Sequence, residues 1–160
     1  MDRLTGAARR FLASLPTREL VDRFTLVHGS PRDPVDEYLL KEWDARWNFL
    51  EFGTQVCCVG HTHRPLVFEQ APGAGQVPAV RTFVPTEPEP IVLDQRRLIV
   101  NPGSVGQPRD GSPDASYMLY ESERGMLQLH RVPYDVQGVQ RKIVAAGLPA
   151  RLATRLAYGM

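Results

Sequence analysis

Two imidazoles one residue apart stand in the stretch Gln55-Val56-Cys57-Cys58-Val59-Gly60-His61-Thr62-His63-Arg64-Pro65. Neutral imidazole is a good ligand for transition-metal ions, and two of them opening on one cavity can share or divide such ions. How they point depends on the backbone. On a helix, residues two apart face away from each other; in extended chain they share a face. The alternative is a polar loop whose histidines ligate nothing. The chain has four histidines, and a third repeats the pattern. Phe24-Thr25-Leu26-Val27 is an apolar run that breaks at once into His28-Gly29-Ser30-Pro31. Leu98-Ile99-Val100 runs in the same way into Asn101-Pro102-Gly103-Ser104, without a histidine.

The elements that must position these residues are short. The run from Val56 to Val59 has the β-branched character of a buried strand, and Gly60 lets the chain turn sharply as it leaves the sheet. Three buried strands, each breaking into a polar loop with glycine or proline, predict an α/β sheet with one functional edge. In open α/β sheets that edge lies at the carboxyl ends of the strands.

Taken together, His28-Gly29, Gly60-His61-Thr62-His63-Arg64-Pro65 and Asn101-Pro102-Gly103-Ser104-Val105-Gly106 resemble the second half of a calcineurin-like metallophosphoesterase, most of all its small bacterial phosphodiesterase-like members. The resemblance covers nearly the whole chain. It implies a partial αββα sandwich, a mixed β-sheet with flanking helices, as one incomplete domain over residues 1–160. It implies two divalent ions about 4 Å apart, with His28 and His61 on one and His63 on the other. Mn, Ni, Fe and Zn are the candidate ions. The implied reaction is hydrolysis of a phosphodiester or phosphomonoester, small molecule or nucleotide, by a hydroxide attacking in line.

The family's three earlier motifs, Asp-x-His, Gly-Asp-x-x-Asp and Gly-Asn-His-Asp or Glu, have no counterpart here. They carry the remaining ligands, the bridging carboxylate and the histidine that protonates the leaving group. No histidine precedes His28, and neither Asp2 nor Asp22 sits in such a pattern. The chain therefore reads as a C-terminal portion: a truncated or split gene, a mis-called start or a degenerate paralogue. Its general acid is absent. The missing strands are expected beside those of His28 and His61, leaving an open sheet edge and apolar area. Self-association follows, unless a partner chain supplies the missing half. Three readings stay open: part of a metal-dependent phosphoesterase, a metal-binding fragment without turnover, and a structural or interaction domain with idle histidines.

The 160 residues can bury one core, and a net charge of +1 shows no basic stripe for nucleic acid. No apolar run is long enough to cross a bilayer, and the charged start is no secretory signal. Cys57 and Cys58 are adjacent in an apolar run, where strand neighbours face opposite ways. That argues against a disulfide between them and fits a reducing, cytoplasmic setting. Asn101, Gly103 and Ser104 are candidate phosphate contacts, because exposed N–H groups of a glycine loop can hold an anion. Arg109 is a candidate phosphate clamp or a turn arginine paired with Asp110 or Asp114.

Helices are expected at 5–15, 35–50, with Asp33 as cap and Pro34 in its first position, and 136–146, capped by Asp135. A final short helix follows Pro149. Leu39, Leu40, Trp43, Trp47 and Leu50 form a stripe that reads as core or lid packing, or else as a substrate wall. Asp36 and Glu37 read as a solvated first turn or as a border of the site. Residues 17–23 form a connection or outer strand, and 66–69 a strand. Residues 71–90, rich in proline, form a surface excursion or a flap. The segments 91–93 and 98–100 are expected to form one hairpin, and 115–121 with 126–132 another. His130 lies within the latter as a structural or surface residue.

Overall fold

In the computed structural model, which describes residues 4–72 and 77–160, the strand β3 (Val56–Cys58) divides the molecule into layers. Successive side chains on a strand point to opposite faces. Val56 enters one apolar cluster, with Val67, Leu98, Val100 and Leu127. Cys57 enters the other, with Phe49, Phe68 and Ile99. Burial pushes the Cys57 thiol up to about 12 and the Cys58 thiol up to about 11. Both cysteines are free and serve as small apolar side chains.

Around β3 the sheet is six-stranded. It comprises β1 (Arg18–Val21), β2 (Phe24–Val27), β3, β4 (Pro65–Ala71), β5 (Ala79–Phe83) and β7 (Leu98–Pro102), in the order β1-β2-β3-β7-β4-β5. The strands β2, β3 and β7 run parallel. A second, antiparallel sheet has the order β6-β9-β8, from β6 (Ile91–Val92), β8 (Ala115–Glu121) and β9 (Met126–Val132). The cluster around Val56 lies between the sheets. The cluster around Cys57 packs the other face against α2 (Glu42–Asn48), through Ala45 and Phe49. The result is the mixed α/β layering expected from the sequence.

Capping explains the outer helices. Thr5 accepts the Ala8 N–H at the start of α1 (Gly6–Ser14). Asp135 accepts the Gly138 N–H at the start of α3 (Val136–Ala145). Each side-chain oxygen satisfies a donor that the first helical turn leaves free. Pro149 precedes α4 (Ala150–Thr154).

Several expectations are corrected. The helix predicted over 35–50 exists only as α2. Asp33 Oδ1 accepts the N–H groups of Val35 and Asp36, which closes a turn instead of opening a helix. Of the bulky stripe, Leu39 is buried, while Leu40, Trp43, Trp47 and Leu50 are exposed. The 91–93 and 98–100 segments form no hairpin: β6 joins the second sheet and β7 the first. The strands of His28 and His61 have no open edge either, since β2 lies between β1 and β3, and β3 between β2 and β7. In the proline-rich excursion, β5 pairs with β4 at the sheet margin, and the tip with Gly73 and Gly75 lies outside the described residues, as does Asp2.

Glu37 is neither solvated nor at the site. Its carboxylate accepts from Ser30 Oγ, the Arg32 guanidinium and Asn48 Nδ2. Burial pulls its pKa upward, but these bonds outweigh that and hold it below the ordinary 4.5. Such a group contributes stability above its unfolded pKa and loses it as pH falls through the folded one. Glu37→Gln should lower stability at pH 7 by about 1–2 kcal/mol. The deficit should shrink as pH drops below about 4.5, in chemical unfolding followed across pH.

The open apolar surface lies elsewhere than expected. A groove of about 300 Å³ between the sheets is lined by Val21, Phe24, Leu26, Met118, Tyr120 and Leu127, among others. Leu20 and Val21 on the edge strand are exposed, and α1 buries none of its residues. Patches of this kind drive association. Light scattering at tens of micromolar should give a mass above one chain. Val21→Lys combined with Leu26→Lys, on the groove rim, should return it to one chain.

Candidate functional site

Parallel β2, β3 and β7 end at one edge, and that geometry gathers His28, the 60–63 loop and Asn101. The register is held by Gly60 N–H donating to the His28 carbonyl (2.8 Å) and Val59 N–H to that of Val100 (2.9 Å). After β3 the chain must pass over the end of β7 to reach β4, because β7 lies between them. It does so in the six residues 59–64, with His61 at φ +57° and His63 at φ +58°. Both sit in the left-handed region that costs a residue with a Cβ.

Asn101, with 1% of its surface exposed, holds this crossing from beneath. Its Nδ2 donates to the Gly60 carbonyl (2.6 Å) and to Thr62 Oγ1 (2.9 Å), and its Oδ1 accepts the Gly103 N–H (2.9 Å). Both amide hydrogens are used, so the side chain offers no further donor to a ligand. Gly103, at φ +87°, fits against Ser116: a Cβ there would meet Ser116 Oγ at 2.7 Å and Pro65 Cγ at 2.9 Å. Ser104 Oγ accepts the N–H groups of Gly106 and Gln107. These three residues shape and anchor the loop beside the histidines.

Two of these histidine side chains meet, and the third is held nearby by a backbone carbonyl. His28 Nε2 and His61 Nδ1 are 2.9 Å apart. Two nitrogens on one tetrahedral ion at the usual bond length are about 3.3 Å apart. A small opening of the pair therefore separates the hydrogen-bonded arrangement from a ligating one. His63 Nδ1 lies 2.7 Å from the Gln107 carbonyl. A carbonyl oxygen only accepts, so Nδ1 carries the proton and Nε2 the lone pair. Metal-ligating histidines are oriented in this way. Burial lowers the His63 pKa, and the positive charge of Arg109 and the other two imidazoles adds to it, against the opposing Gln107 bond. Among the described residues, no group of three or more His, Cys, Asp or Glu side chains gathers to hold one ion. The donors fit the imidazole side of a metal centre, and the carboxylate side is not among them.

Beside the histidine loop lies a cleft of about 940 Å³, whose lining includes Tyr38, Thr62, Arg64 and Arg109. The Arg109 N–H donates to the His63 carbonyl (3.1 Å), and Arg64 Nε to that of Arg109 (2.8 Å). The Arg109 guanidinium donates to Gln107 Oε1 and pairs with neither Asp110 nor Asp114. Asp110 is bound to Arg131. His130 stacks on Tyr117 and pairs with Glu87, in the second sheet. The sequence reading passed over Tyr38, whose ring lies 4.0 Å from that of His61. It also passed over Gln107, where only proximity to Arg109 offered a signal.

Asn101→Ala should remove three hydrogen bonds and leave buried groups unpaired. Stability should fall by about 2–4 kcal/mol, and amide exchange should accelerate at residues 60–63 more than in β8 and β9.

The profile of the calcineurin-like phosphoesterase superfamily domain matches residues 3–125. An uncharacterised protein of Methanocaldococcus jannaschii is 33% identical over 134 residues, 82% of this chain and 50% of that protein. A metallophosphoesterase from Sphaerobacter thermophilus is similar in structure, with a TM-score of 0.89 at 41% identity, over 99% of this chain and 64% of that one. A hypothetical protein from Pyrococcus horikoshii OT3 shares the fold, with a TM-score of 0.69 at 20% identity, over 96% and 55%. The chain thus spans about half the length of the curated relative it matches. With most of its residues matched and its body shared with a metallophosphoesterase, the chain belongs to the calcineurin-like phosphoesterase superfamily.

Proposed function

We propose that this chain provides the histidine side of a metal-dependent phosphoesterase centre. The family and the Sphaerobacter relative support a phosphoesterase-type hydrolase. The finer reading is carried by one observation: His28 and His61 meet at 2.9 Å where His63 is fixed with its lone pair on Nε2. His28, His61 and His63 would hold divalent ions, with Mn, Ni, Fe or Zn suited to imidazole. Ions held there would polarise a phosphoryl oxygen and make water nucleophilic near neutral pH.

The chain's own residues then have separate tasks. Asn101 and the Gln107 carbonyl hold the imidazoles in place. Arg64 and Arg109 present cations to phosphoryl oxygens at the cleft. Carboxylates that complete the centre come, in this reading, from the additional length that the relatives carry, within the same chain or a partner. The absence of a three-donor group among the described residues favours a second reading, metal binding without turnover.

The test is hydrolysis of a chromogenic phosphodiester with Mn²⁺ or Ni²⁺, alongside metal uptake by equilibrium dialysis, for wild type and His61→Ala. His61→Ala should weaken metal uptake by more than the roughly 10–100-fold that loss of an outer hydrogen-bond partner costs, and abolish turnover. Uptake without turnover in the wild type would support the second reading. Equal uptake by both proteins would sink both.

A further inference from the structure

The cleft beside the histidines has a lining of two kinds. Its polar side chains include Thr62, which lies between the two histidines in sequence, and the arginines Arg64 and Arg109. The cationic character there is real. Among the described residues no acidic side chain pairs with Arg109 and its buried Nε has no hydrogen-bond partner, and the adjacent Asp110 is spent on Arg131. Its apolar and aromatic side chains include Tyr38, Leu40, Leu66, Val84 and Met160.

Tyr38 ties this lining to the histidines. Its ring packs on His61 at a centroid separation of 4.0 Å, tilted by 48°. Yet 51% of the residue remains exposed, so part of the ring is open to the cleft. The segment bearing it is held firmly. Glu37, its neighbour, is bonded to Ser30, Arg32 and Asn48, and Leu39, on its other side, is 1% exposed. A half-exposed aromatic ring on an anchored segment is a stacking platform, and it loses little side-chain entropy when a flat group settles on it.

Building on the phosphoesterase reading, we infer that the cleft takes phosphoesters whose organic part is a flat aromatic group, of the nucleoside class. The phosphate faces Arg64 and Arg109, and the ring stacks on Tyr38 between Leu40 and Val84. The cleft volume, about 940 Å³, is within the range that accommodates a ligand of that size. A base–aromatic contact is strong enough to matter, since loss of one stacked ring commonly weakens binding about tenfold or more.

The test is titration calorimetry on the full chain with adenosine 5′-monophosphate, ribose 5-phosphate and inorganic phosphate, for wild type, Tyr38→Phe and Tyr38→Ala. Circular dichroism and melting confirm that the variants fold. The wild type should bind the nucleotide about tenfold tighter than ribose 5-phosphate. Tyr38→Phe should keep that preference, and Tyr38→Ala should erase it while leaving the affinity for inorganic phosphate unchanged. Equal binding of nucleotide and ribose 5-phosphate by the wild type would overturn the inference and leave the phosphoesterase reading standing. So would a preference that survives Tyr38→Ala. A Tyr38-dependent preference without turnover would uphold the aromatic site while the phosphoesterase reading fails. No binding of any of the three overturns the inference.

Discussion

The crossing of the 60–63 loop over the end of β7 is the constraint on which the site depends. A connection between β3 and β4 that skips the intervening strand must lift off the sheet and return within a few residues. Its carbonyl and N–H groups then lose the ladder partners they would have had in the sheet. Buried backbone groups left unpaired are costly. Asn101 answers this by placing one amide beneath the arch, bonded to Gly60, Thr62 and Gly103 at once. The same amide that solves a folding problem also fixes where His61 and His63 stand.

Electrostatics at this edge is one-sided. Three imidazoles, Arg64 and Arg109 share a small region. Burial, with the charge of Arg109 and the other imidazoles, lowers the His63 pKa, which favours the neutral form that a ligating imidazole needs. Two acids from neighbouring loops are already committed, Glu37 to Arg32 and Asp110 to Arg131. An edge with imidazole nitrogens and cationic side chains is suited to receiving anions. In the proposed centre, carboxylate ligands and phosphoryl oxygens would both meet that description.

What the sequence made legible was the local and periodic part. The hairpin of β8 and β9, the strands ending in His28 and Asn101, and the cap at Asp135 all follow from short-range patterns. What it concealed was long-range. Nothing local says that Ile91 and Leu98 belong to different sheets, because each is an apolar strand start and only the register chooses its partner. The helix expected at 35–50 failed at its front, where Asp33, Ser30 and Glu37 prefer bonds among themselves and to Asn48. Asn101 looked like a phosphate contact for a good reason, its place after a strand beside a glycine. Only the fold shows that the crossing loop uses its amide.

The backbone at the two histidines carries an argument of its own. A left-handed φ is available to glycine without penalty, and loops that need one usually have glycine there. Here two successive alternate positions take that conformation with histidine, at a cost on the order of 1–3 kcal/mol each. Gly60, immediately before them, shows that glycine is at hand in the same loop. Local folding alone would favour glycine at 61 and 63. The left-handed turns aim the His61 ring at His28 and Tyr38, and the His63 ring at the Gln107 carbonyl. Within the crossing over β7, this strain sets the His61 ring against His28 and the His63 ring on the Gln107 carbonyl, the arrangement that the proposed centre would use.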